Sequence, residues 1–260
     1  MWEEQNMIKA ERQDKVRQLL DNQGTVSVKE ISDALGVSDM TIRRDLEELA
    51  GLGEIERVHG GARSANAHAH SMLRREYTHS EKRTKHADEK LKIAQTAAAL
   101  IEDDMTVFLG AGTTAEQMAS LLPSCHLRVI TNSLSVFNIL ENREDYEFCL
   151  VGGIYRPRTA AFVGPIAEGA LSTIGVDVAF IGANGVLGND ISTSNMEEGH
   201  IQNLAFGKAD VRYLIADTSK IGKRDFYTFY HLSDLDGLVC EPSITPEQRA
   251  SVEEFTSVIC

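Results

Sequence analysis

The stretch at residues 37–62, VSDMTIRRDLEELAGLGEIERVHGGA, constrains the fold of this chain more than any other part of the sequence. Ser38 suits the N-cap position of a helix, because its hydroxyl can accept a hydrogen bond from an amide that the helix leaves unpaired. Ile42, Leu46 and Leu49 then recur at helical spacing, which predicts a helix with one buried face. The residues expected on the opposite side of this helix or at its edge are Thr41, Arg43, Arg44, Asp45 and Glu48.

The residues before this helix predict a partner for it. Ser27 and Glu30 have the spacing of a capping box, which indicates a preceding helix at residues 28–35. Gly36 follows that helix and suits the tight turn between two crossed helices. Residues 10–21 supply a first helix, whose apolar side can cover the other two.

The residues after the helix predict a β-wing. Gly51 and Gly53 indicate a turn, and Ile55 and Val58 can anchor a small hairpin that carries Arg57 and His59. The whole pattern therefore predicts a winged helix-turn-helix, a fold in which the helix that Ser38 begins would lie in a groove of DNA. The alternative is a small three-helix domain whose arginines are merely solvated.

The two segments VSDMTIRRDLEEL and IERVHGGA together resemble the N-terminal signature of the DeoR family of bacterial transcriptional regulators. The resemblance combines spacing, helix caps and wing residues over about 25 positions, far more than a short motif offers. It implies that the chain binds an operator in double-stranded DNA. The residues that it implies in DNA contact are Ser38, Thr41, Arg43 and Arg44 on the helix, and Arg57 and His59 on the wing.

The charge of the chain limits how it can bind DNA. The net charge is −13, which disfavours indiscriminate nucleic-acid binding. Residues 1–63 carry 9 Lys and Arg against 13 Asp and Glu, so binding depends on where the cations lie and not on their number. No stretch is long and apolar enough for a membrane span, and residues 1–13 lack the apolar core of a signal peptide. We therefore expect a cytoplasmic protein without a membrane partner.

Residues 63–84 are predicted to be a linker between a DNA-binding domain at residues 1–62 and a second domain at residues 85–260. The segment begins with small and polar residues, then becomes basic, and contains His68, His70 and His79, with His86 just beyond it. A solvated hinge is the favoured interpretation, with a zinc site or a pH sensor as alternatives. No tight pair of ligands accompanies the histidines, and the four cysteines of the chain are scattered without metal-type spacing, so no metal site is expected.

The second domain alternates β-rich runs with helical runs. After an amphipathic helix at about residues 85–101, the β-rich runs are residues 105–109, 127–131, 148–152, 178–182, 213–217 and 237–241. This alternation predicts an α/β domain with a mainly parallel sheet, in which ligands gather at the carboxyl ends of the strands.

The loops at these strand ends predict a phosphate pocket. The residues Gly110, Gly112, Thr113 and Thr114 join the first strand to a helix and offer backbone amides and hydroxyls, which favours a phosphate. Asn132 opens the next helix, and Arg156 is a candidate clamp on a phosphate or a sugar hydroxyl. Each loop taken alone is equally compatible with ordinary turn chemistry. The glycine spacing also fits a dinucleotide motif, but the next strand ends without the acidic residue that holds a ribose, so no nicotinamide or flavin cofactor is expected.

Three later residues, Glu197, Asp217 and Lys220, supply carboxylates and a cation near the same strand ends. Such groups can move a proton between sugar carbons, as in an aldose–ketose isomerase, or can simply bind sugar hydroxyls. An isomerase with an appended DNA-binding domain therefore remains the alternative to a regulator that is not an enzyme.

The segments GAGTT, TNS, VGGIYR, FVG, IGANG and DTSK resemble the effector-sensing domain of the same DeoR family. That resemblance implies a fold like that of ribose-5-phosphate isomerase and a phosphorylated sugar as effector, held by the pocket residues named above. Gly110, with the segment DTSKIGKRDF, is most similar to the branch of lactose phosphotransferase-system repressors, whose inducer is tagatose-6-phosphate. Useful operator specificity needs at least two reading heads, so a homodimer or homotetramer is expected.

Overall fold

The computed structural model describes residues 8–23, 25–58, 60–64 and 76–260. The chain divides into two compact units, Met1–Arg74 and Arg75–Cys260. Each unit has its own hydrophobic core, and each is described separately below.

The N-terminal unit is a winged helix-turn-helix. Its elements are α1 (Lys9–Gln23), β1 (Thr25–Ser27), α2 (Val28–Leu35), α3 (Asp39–Gly51), β2 (Ile55–Val58) and β3 (Gly61–Ser64). The three strands form an antiparallel sheet in the order β1-β3-β2. The capping box of Ser27 and Glu30 begins α2, and Gly36 ends it in the left-handed conformation, with φ at 65°. The predicted fold of this half is confirmed.

The core of the N-terminal unit joins all three helices. Ile42, Leu46 and Leu49 of α3 are fully buried, as their helical spacing predicts. They pack in one cluster with Val16 and Leu20 of α1 and with apolar residues of α2 and the sheet. The opposite side of α3 is thereby left for other contacts.

The C-terminal unit is an α/β domain. It begins with α4 (His79–Thr84), α5 (Ala87–Ala98), β4 (Thr106–Leu109), α6 (Thr113–Ala119), β5 (Leu127–Thr131), α7 (Leu134–Leu140), β6 (Tyr146–Leu150), β7 (Ile154–Arg156) and β8 (Ala161–Val163). It continues with α8 (Pro165–Leu171), β9 (Val176–Ile181), β10 (Gly185–Leu187), β11 (Asp190–Thr193), α9 (Met196–Lys208), β12 (Ala209–Ile215), β13 (Tyr227–His231), β14 (Gly237–Val239), α10 (Pro246–Glu253) and β15 (Val258–Ile259).

Seven parallel strands form the central sheet, in the order β15-β14-β12-β9-β4-β5-β6. Successive residues of a strand point to opposite faces, so Phe108 packs in one core while Val107 and Leu109 pack in the other. Both faces are therefore covered, which is typical of a parallel sheet. The predicted α/β class with a mainly parallel sheet is confirmed. Two smaller antiparallel sheets, β10-β11-β13 and β7-β8, flank it.

Residues 76–84 belong to the C-terminal unit, whereas the sequence placed them in the linker. Thr78 and Glu81 form a capping box that begins α4. The segment is short and strongly charged, and its contacts are with residues far away in the sequence, which local patterns do not reveal.

Candidate DNA-binding surface and effector pocket

The start of α3 presents a pair of hydroxyls. The Ser38 Oγ accepts a hydrogen bond from the backbone N–H of Thr41 at 3.3 Å and lies 2.9 Å from the Thr41 Oγ1. Arg43 and Arg44 follow on the helix and are exposed. Hydroxyls and amides at a helix N-terminus are the usual groups that hold a DNA phosphate, and arginines one turn further in can reach base edges.

Asp45 is buried, and the expectation that it lies on the exposed side of α3 is wrong. Its carboxylate is 2% exposed and receives hydrogen bonds from Arg12 of α1, at 2.5 Å from Nε and 3.2 Å from Nη2. Glu48 is likewise approached by α1, through Lys9 Nζ at 2.5 Å and Gln13 Nε2 at 3.1 Å. The acidic residues that face α1 are thus neutralised.

Arg43 and Arg44 form no ion pair within the described residues, so their charges remain available to a ligand. The N-terminal residues carry more acidic than basic side chains, and this arrangement still leaves two positive charges exposed on α3. Lys9 and Arg12 of α1 form ion pairs with acidic residues of α3, whereas Arg43 and Arg44 of α3 are exposed. The sequence predicted that position would matter more than net charge, but it did not identify α1 as the neutralising element.

The wing is held against the rest of the N-terminal unit by a close backbone approach. A Cβ at Gly61 would lie 2.3 Å from the Val26 carbonyl oxygen, so only glycine fits this position of β3. Arg57 is exposed on β2, which pairs with β3. His59 lies outside the described residues.

In the C-terminal unit, the loops after β4 and β9 meet at the point where the order in which the chain adds strands to the sheet reverses. From β4 the chain adds β5 and β6 on one side, and then β9, β12, β14 and β15 on the other. Ligands of open α/β sheets bind at the carboxyl ends of the strands at such a switch point. The Gly110 N–H donates to the Phe180 carbonyl at 3.0 Å, which joins the two strand ends. Gly112 has a φ of 149°, a conformation that side chains rarely allow.

Several of the predicted pocket residues are buried at this edge. Thr113 and Thr114 begin α6, and Asn132 follows β5, each less than a tenth exposed. The Asn132 Nδ2 donates to the Phe162 carbonyl at 3.0 Å, so its amide orientation is fixed. Thr131 donates to the Leu109 carbonyl at 2.7 Å, which ties the end of β5 to the end of β4.

Arg156 is already engaged by carboxylates. Its Nη2 donates to both carboxylate oxygens of Glu76, at 2.9 Å and 3.1 Å, and its Nε lies 3.1 Å from Glu198 Oε1. Glu198 is buried and also receives a hydrogen bond from Thr159, whereas the side chain of Glu197 is 52% exposed and 3.9 Å from Arg156. Of the two adjacent glutamates, Glu198 is therefore the one fixed at this arginine.

Asp217 and Lys220 lie together after β12. The Asp217 side chain is 2% exposed and accepts hydrogen bonds from the amide and the hydroxyl of Ser219. The Lys220 Nζ lies 3.9 Å from Asp217 Oδ2, and its side chain is 29% exposed. Asp217 is thus fixed by the turn, and Lys220 stays within reach of solvent and of a ligand.

The sequence did not identify Lys82 and Lys90 as residues of this region. The Lys82 Nζ donates to Asn184 Oδ1 at 3.0 Å, in the loop after β9. Burial lowers the pKa of Lys82; nearby Glu198 raises it, and nearby Lys220 lowers it. Burial also lowers the pKa of Lys90, whose Nζ donates to the Lys82 and Lys85 carbonyls at 2.5 Å and 2.6 Å. The surplus of lysines at residues 82–92 was the available signal.

Buried polar atoms without a hydrogen-bond partner are few among the described side chains. They are Gln117 Oε1, Arg156 Nε, Ser194 Oγ and Gln202 Oε1. Gln202 lies on α9 and donates through its other amide atom to the Gly182 carbonyl at the end of β9, at 3.4 Å. Ser194 precedes the N-cap of α9. Among these side chains, Gln202 contacts the end of β9, and an unsatisfied buried polar atom there is compatible with a polar ligand.

The histidines of the basic segment have separate partners where the structure describes them. His79 pairs with Glu116 of α6, and His86 lies 3.9 Å from Glu89, while His68 and His70 lie outside the described residues. Within residues 8–23, 25–58, 60–64 and 76–260, no group of three His, Cys, Asp or Glu is arranged to hold a metal ion. In the same residues, no helix has the length and apolarity that crossing a membrane requires.

Two family models match the chain in adjacent segments. The DeoR-like helix-turn-helix domain matches residues 12–68, and the DeoR C terminal sensor domain matches residues 85–241. The matched segments contain both α3 and the loops after β4 and β9.

Curated proteins are similar over nearly the whole chain. A lactose phosphotransferase system repressor of Streptococcus mutans is 44% identical over 255 residues, which cover 97% of this chain and 100% of that protein. A lactose phosphotransferase system repressor of Lactococcus lactis is 40% identical over 256 residues, with 97% and 99% covered. One from Staphylococcus epidermidis is 39% identical over 255 residues, with 97% and 100% covered.

Solved structures are similar at a lower level. Ribose 5-phosphate isomerase A from Methanocaldococcus jannaschii has a TM-score of 0.40 and 20% identity, with 53% of this chain and 55% of that chain covered. Translation initiation factor eIF-2B from Pyrococcus horikoshii has a TM-score of 0.43 and 14% identity, with 92% and 91% covered. Similarity at this level assigns neither a substrate nor an activity.

Proposed function

This chain belongs to the DeoR family of bacterial transcriptional regulators, and we propose that it represses an operon for sugar uptake or catabolism by binding the operator DNA in the cytoplasm. The observation that carries the proposal is the surface of α3. Asp45 and Glu48 are paired with cations of α1, while Arg43 and Arg44 remain exposed beside the Ser38–Thr41 pair. Exposed arginines and hydroxyls near the start of a recognition helix are the groups that contact DNA bases and phosphates in such folds.

The roles proposed for the DNA-binding residues follow from their positions. Ser38 and Thr41 would hold a phosphate at the start of α3, because hydroxyls and amides there can donate to its oxygens. Arg43 and Arg44 would contact base edges in the major groove. Arg57 and His59 of the wing would contact the DNA backbone or the adjacent groove.

The effector is proposed to be a phosphorylated sugar bound at the carboxyl ends of β4, β9 and β12. The loop and helix start at residues 110–114 would hold the phosphate through backbone amides and the hydroxyls of Thr113 and Thr114. Asn132 and Arg156 would assist, and Glu197, Asp217 and Lys220 would bind the sugar. The burial of Asp217 and the placement of Lys220 beside it support this assignment.

The names of the curated relatives support a narrower proposal. Those relatives are called lactose phosphotransferase system repressors, and the identity reaches 44% over nearly the full length. We therefore propose that the operon serves phosphotransferase-dependent lactose use and that the effector is tagatose 6-phosphate or a similar ketohexose phosphate.

The isomerase alternative is less well supported. Proton transfer between sugar carbons needs a carboxylate that is free to accept a proton. Two of the nearby carboxylates are not free, since Glu198 is held by Arg156 and Thr159 and Asp217 is held by Ser219, whereas the side chain of Glu197 is 52% exposed. The curated relatives, moreover, are named as repressors.

We further propose that the protein acts as a homodimer or homotetramer. A single small reading head makes too few base contacts for useful specificity, and paired heads match an operator with two half-sites. Sedimentation with and without a single operator duplex would measure the number of chains bound.

A gel-shift experiment tests the proposed function. A DNA fragment from the promoter next to the gene is titrated with the protein, and the titration is repeated with tagatose 6-phosphate, fructose 6-phosphate, galactitol phosphate and glucose 6-phosphate. We expect a specific complex that a ketohexose phosphate dissociates. A complex that no sugar phosphate affects would contradict the effector class, and rapid interconversion of ketose and aldose phosphates by the purified protein would contradict a purely regulatory role.

A further inference from the structure

Two free cysteines are brought together at one edge of the central sheet. Cys240 directly follows β14 and Cys260 directly follows β15, and these strands are parallel neighbours in which Val239 lies opposite Ile259. The Cys240 N–H donates to the Ile259 carbonyl at 2.9 Å, which continues the pairing. Neighbouring strands lie about 4.8 Å apart, and the Cα atoms that a disulfide joins are usually about 4.4–6.8 Å apart. The backbone at this edge therefore suits a disulfide.

The two side chains also point toward each other. Their sulfur atoms lie 3.5 Å apart, with both cysteines present as free thiols. Contact between the sulfur atoms is what separates two cysteines that can be bridged from two whose side chains diverge. Strand register and sulfur contact thus point independently to the same pair.

The two thiols differ in access to solvent and in their neighbours. Cys240 is fully buried, whereas Cys260 is exposed and its Sγ lies 3.1 Å from the Arg249 Nη2, which donates to it. Arg249 also pairs with Glu253 at 2.9 Å. Burial, and then the neighbouring Cys260 sulfur, raise the pKa of the Cys240 thiol. A guanidinium stabilises the negative charge of a reacting sulfur, so oxidation begins at Cys260.

The same edge of the sheet holds a turn of the proposed effector pocket. Glu241 follows Cys240 and is buried, and its carboxylate accepts hydrogen bonds from the Thr218 N–H at 3.2 Å and from the Thr218 Oγ1 at 2.5 Å. Gln248 of α10, the helix before β15, donates to the Thr218 carbonyl at 3.2 Å. Both segments that a disulfide would connect therefore contact the turn at residues 217–220.

We propose that Cys240 and Cys260 form a reversible disulfide when a hydroperoxide is present, that Arg249 promotes the first step, and that the disulfide fastens β15 to β14 and constrains the turn at residues 217–220. A cytoplasm keeps thiols reduced, so such a disulfide is a transient response to oxidant. The inference needs neither operator nor sugar phosphate, so its failure leaves the proposed function untouched.

The reaction has two steps. The Cys260 sulfur attacks one oxygen of the hydroperoxide and the O–O bond breaks, which gives a sulfenic acid, while the second oxygen takes the thiol proton and leaves as an alcohol or as water. The Cys240 sulfur then attacks the Cys260 sulfur, an S–S bond replaces the S–O bond, and the oxygen leaves as water with the Cys240 proton. Two thiols are oxidised, the peroxide is reduced, and a thiol reductant reverses the change.

Mass spectrometry and scanning calorimetry of the full-length protein test the disulfide, with hydrogen peroxide as the probe. We expect a loss of two hydrogen atoms and a linked pair of peptides that contain Cys240 and Cys260, both reversed by dithiothreitol. The unfolding temperature of the C-terminal unit should rise by roughly 5–10 °C. Cys260→Ser should show neither change. Cys149→Ser is the matched control and should show both, because Cys149 lies on β6 at the opposite edge of the sheet.

Two further measurements test the parts played by Arg249 and by the turn. Arg249→Gln should slow disulfide formation roughly threefold or more, because the reacting sulfur loses its neighbouring cation. Arg128→Gln is the matched control, since Arg128 is also exposed and paired with a glutamate, on β5. Hydrogen exchange in a peptide that covers residues 216–222 should be slower in the oxidised protein than in the reduced protein.

Each part of the inference has an outcome that overturns it. A disulfide that includes Cys149 or joins two chains, or oxidation of Cys260 to a sulfinic acid without a disulfide, would overturn the pairing. An equal rise in unfolding temperature in peroxide-treated Cys260→Ser would overturn the fastening of β15. Equal rates for Arg249→Gln and Arg128→Gln would overturn the role of Arg249, and unchanged exchange at residues 216–222 in the oxidised protein would overturn the effect on the turn.

Discussion

At the scale of single residues, the contact between Arg12 and Asp45 decides which face of α3 is free. Asp45 is 2% exposed and Arg12 approaches it with two nitrogen atoms, at 2.5 Å and 3.2 Å. A carboxylate in that position is tolerated only because it is paired. Asp45 thus uses Arg12 of α1 as its partner, while Arg43 and Arg44 of α3 stay exposed.

Replacing Asp45 with alanine should destabilise the N-terminal unit by about 3 kcal/mol, because a largely buried guanidinium would lose its counter-ion. Native-state hydrogen exchange of the α3 amides measures that loss. Glu47→Ala is the control, since Glu47 is exposed on the same helix and should change stability by less than about 0.5 kcal/mol. Equal protection of α3 in the two variants would mean that the Arg12–Asp45 pair contributes nothing.

Replacing Arg44 with alanine should weaken specific operator binding by roughly tenfold to a hundredfold and leave sugar-phosphate binding unchanged. Binding curves at several salt concentrations separate two roles. A contact with a base leaves the salt dependence almost unchanged, whereas a contact with a phosphate lowers its slope by about one. Lys15→Ala on α1 is the matched loss of one positive charge. An operator footprint by Arg44→Ala as strong as that of the unaltered protein would remove Arg44 from the reading surface.

At the scale of elements, the wing depends on a backbone contact between β1 and β3. Gly61 pairs with Ser27, and a side chain on it would overlap the Val26 carbonyl and the Ser27 Cα, at 2.3 Å and 2.9 Å. Neither neighbour is a flexible side chain, so the two strands themselves would have to separate.

Gly61→Ala should therefore destabilise the N-terminal unit by about 1–3 kcal/mol, as overpacking does in a tight core. Gly51→Ala is the control: a side chain there meets nothing within 4 Å, and alanine should be neutral or stabilising by at most about 1 kcal/mol. Scanning calorimetry measures the unfolding temperature of both variants. The transition of the N-terminal unit is identified as the one whose temperature rises when operator DNA is added. A transition at the same temperature in Gly61→Ala and Gly51→Ala would show that the strands accommodate the extra methyl group.

The elements also differ in how well the sequence predicted them. Caps and periodic apolar residues are local signals, so α2, α3 and the parallel sheet were predicted correctly from Ser27, Ser38 and the alternating β-rich runs. The ordered segment at residues 76–84 was missed because its contacts are with partners such as Arg156 and Asn184, far away in the sequence. For the same reason the sequence did not reveal the burial of Asp45. Contacts between distant segments, and not local propensities, determine these features.

At the scale of the whole molecule, the net charge of −13 restricts the protein to sites where position compensates for charge. An acidic body repels DNA in general, so we propose that affinity for an operator comes from a few correctly placed groups such as Arg43 and Arg44. The same repulsion reduces binding to the large excess of non-specific DNA. A regulator with this charge distribution gains specificity more than affinity.

The last prediction concerns the coupling between the two units. If the sugar phosphate lowers operator affinity by some factor, operator DNA must lower sugar-phosphate affinity by the same factor, because the two binding free energies are linked. Calorimetry with and without an operator duplex should give a factor of about 5–150, the usual range for such coupling. The double variant Thr113→Val with Lys220→Ala should bind the operator normally and should no longer respond to the sugar phosphate, since both residues lie in the proposed pocket and neither belongs to the DNA-binding unit. Sugar-phosphate affinity that is identical with and without operator would mean that the C-terminal unit does not control α3. Release of the operator by sugar phosphate in the double variant would instead mean that the effector binds elsewhere in the C-terminal unit.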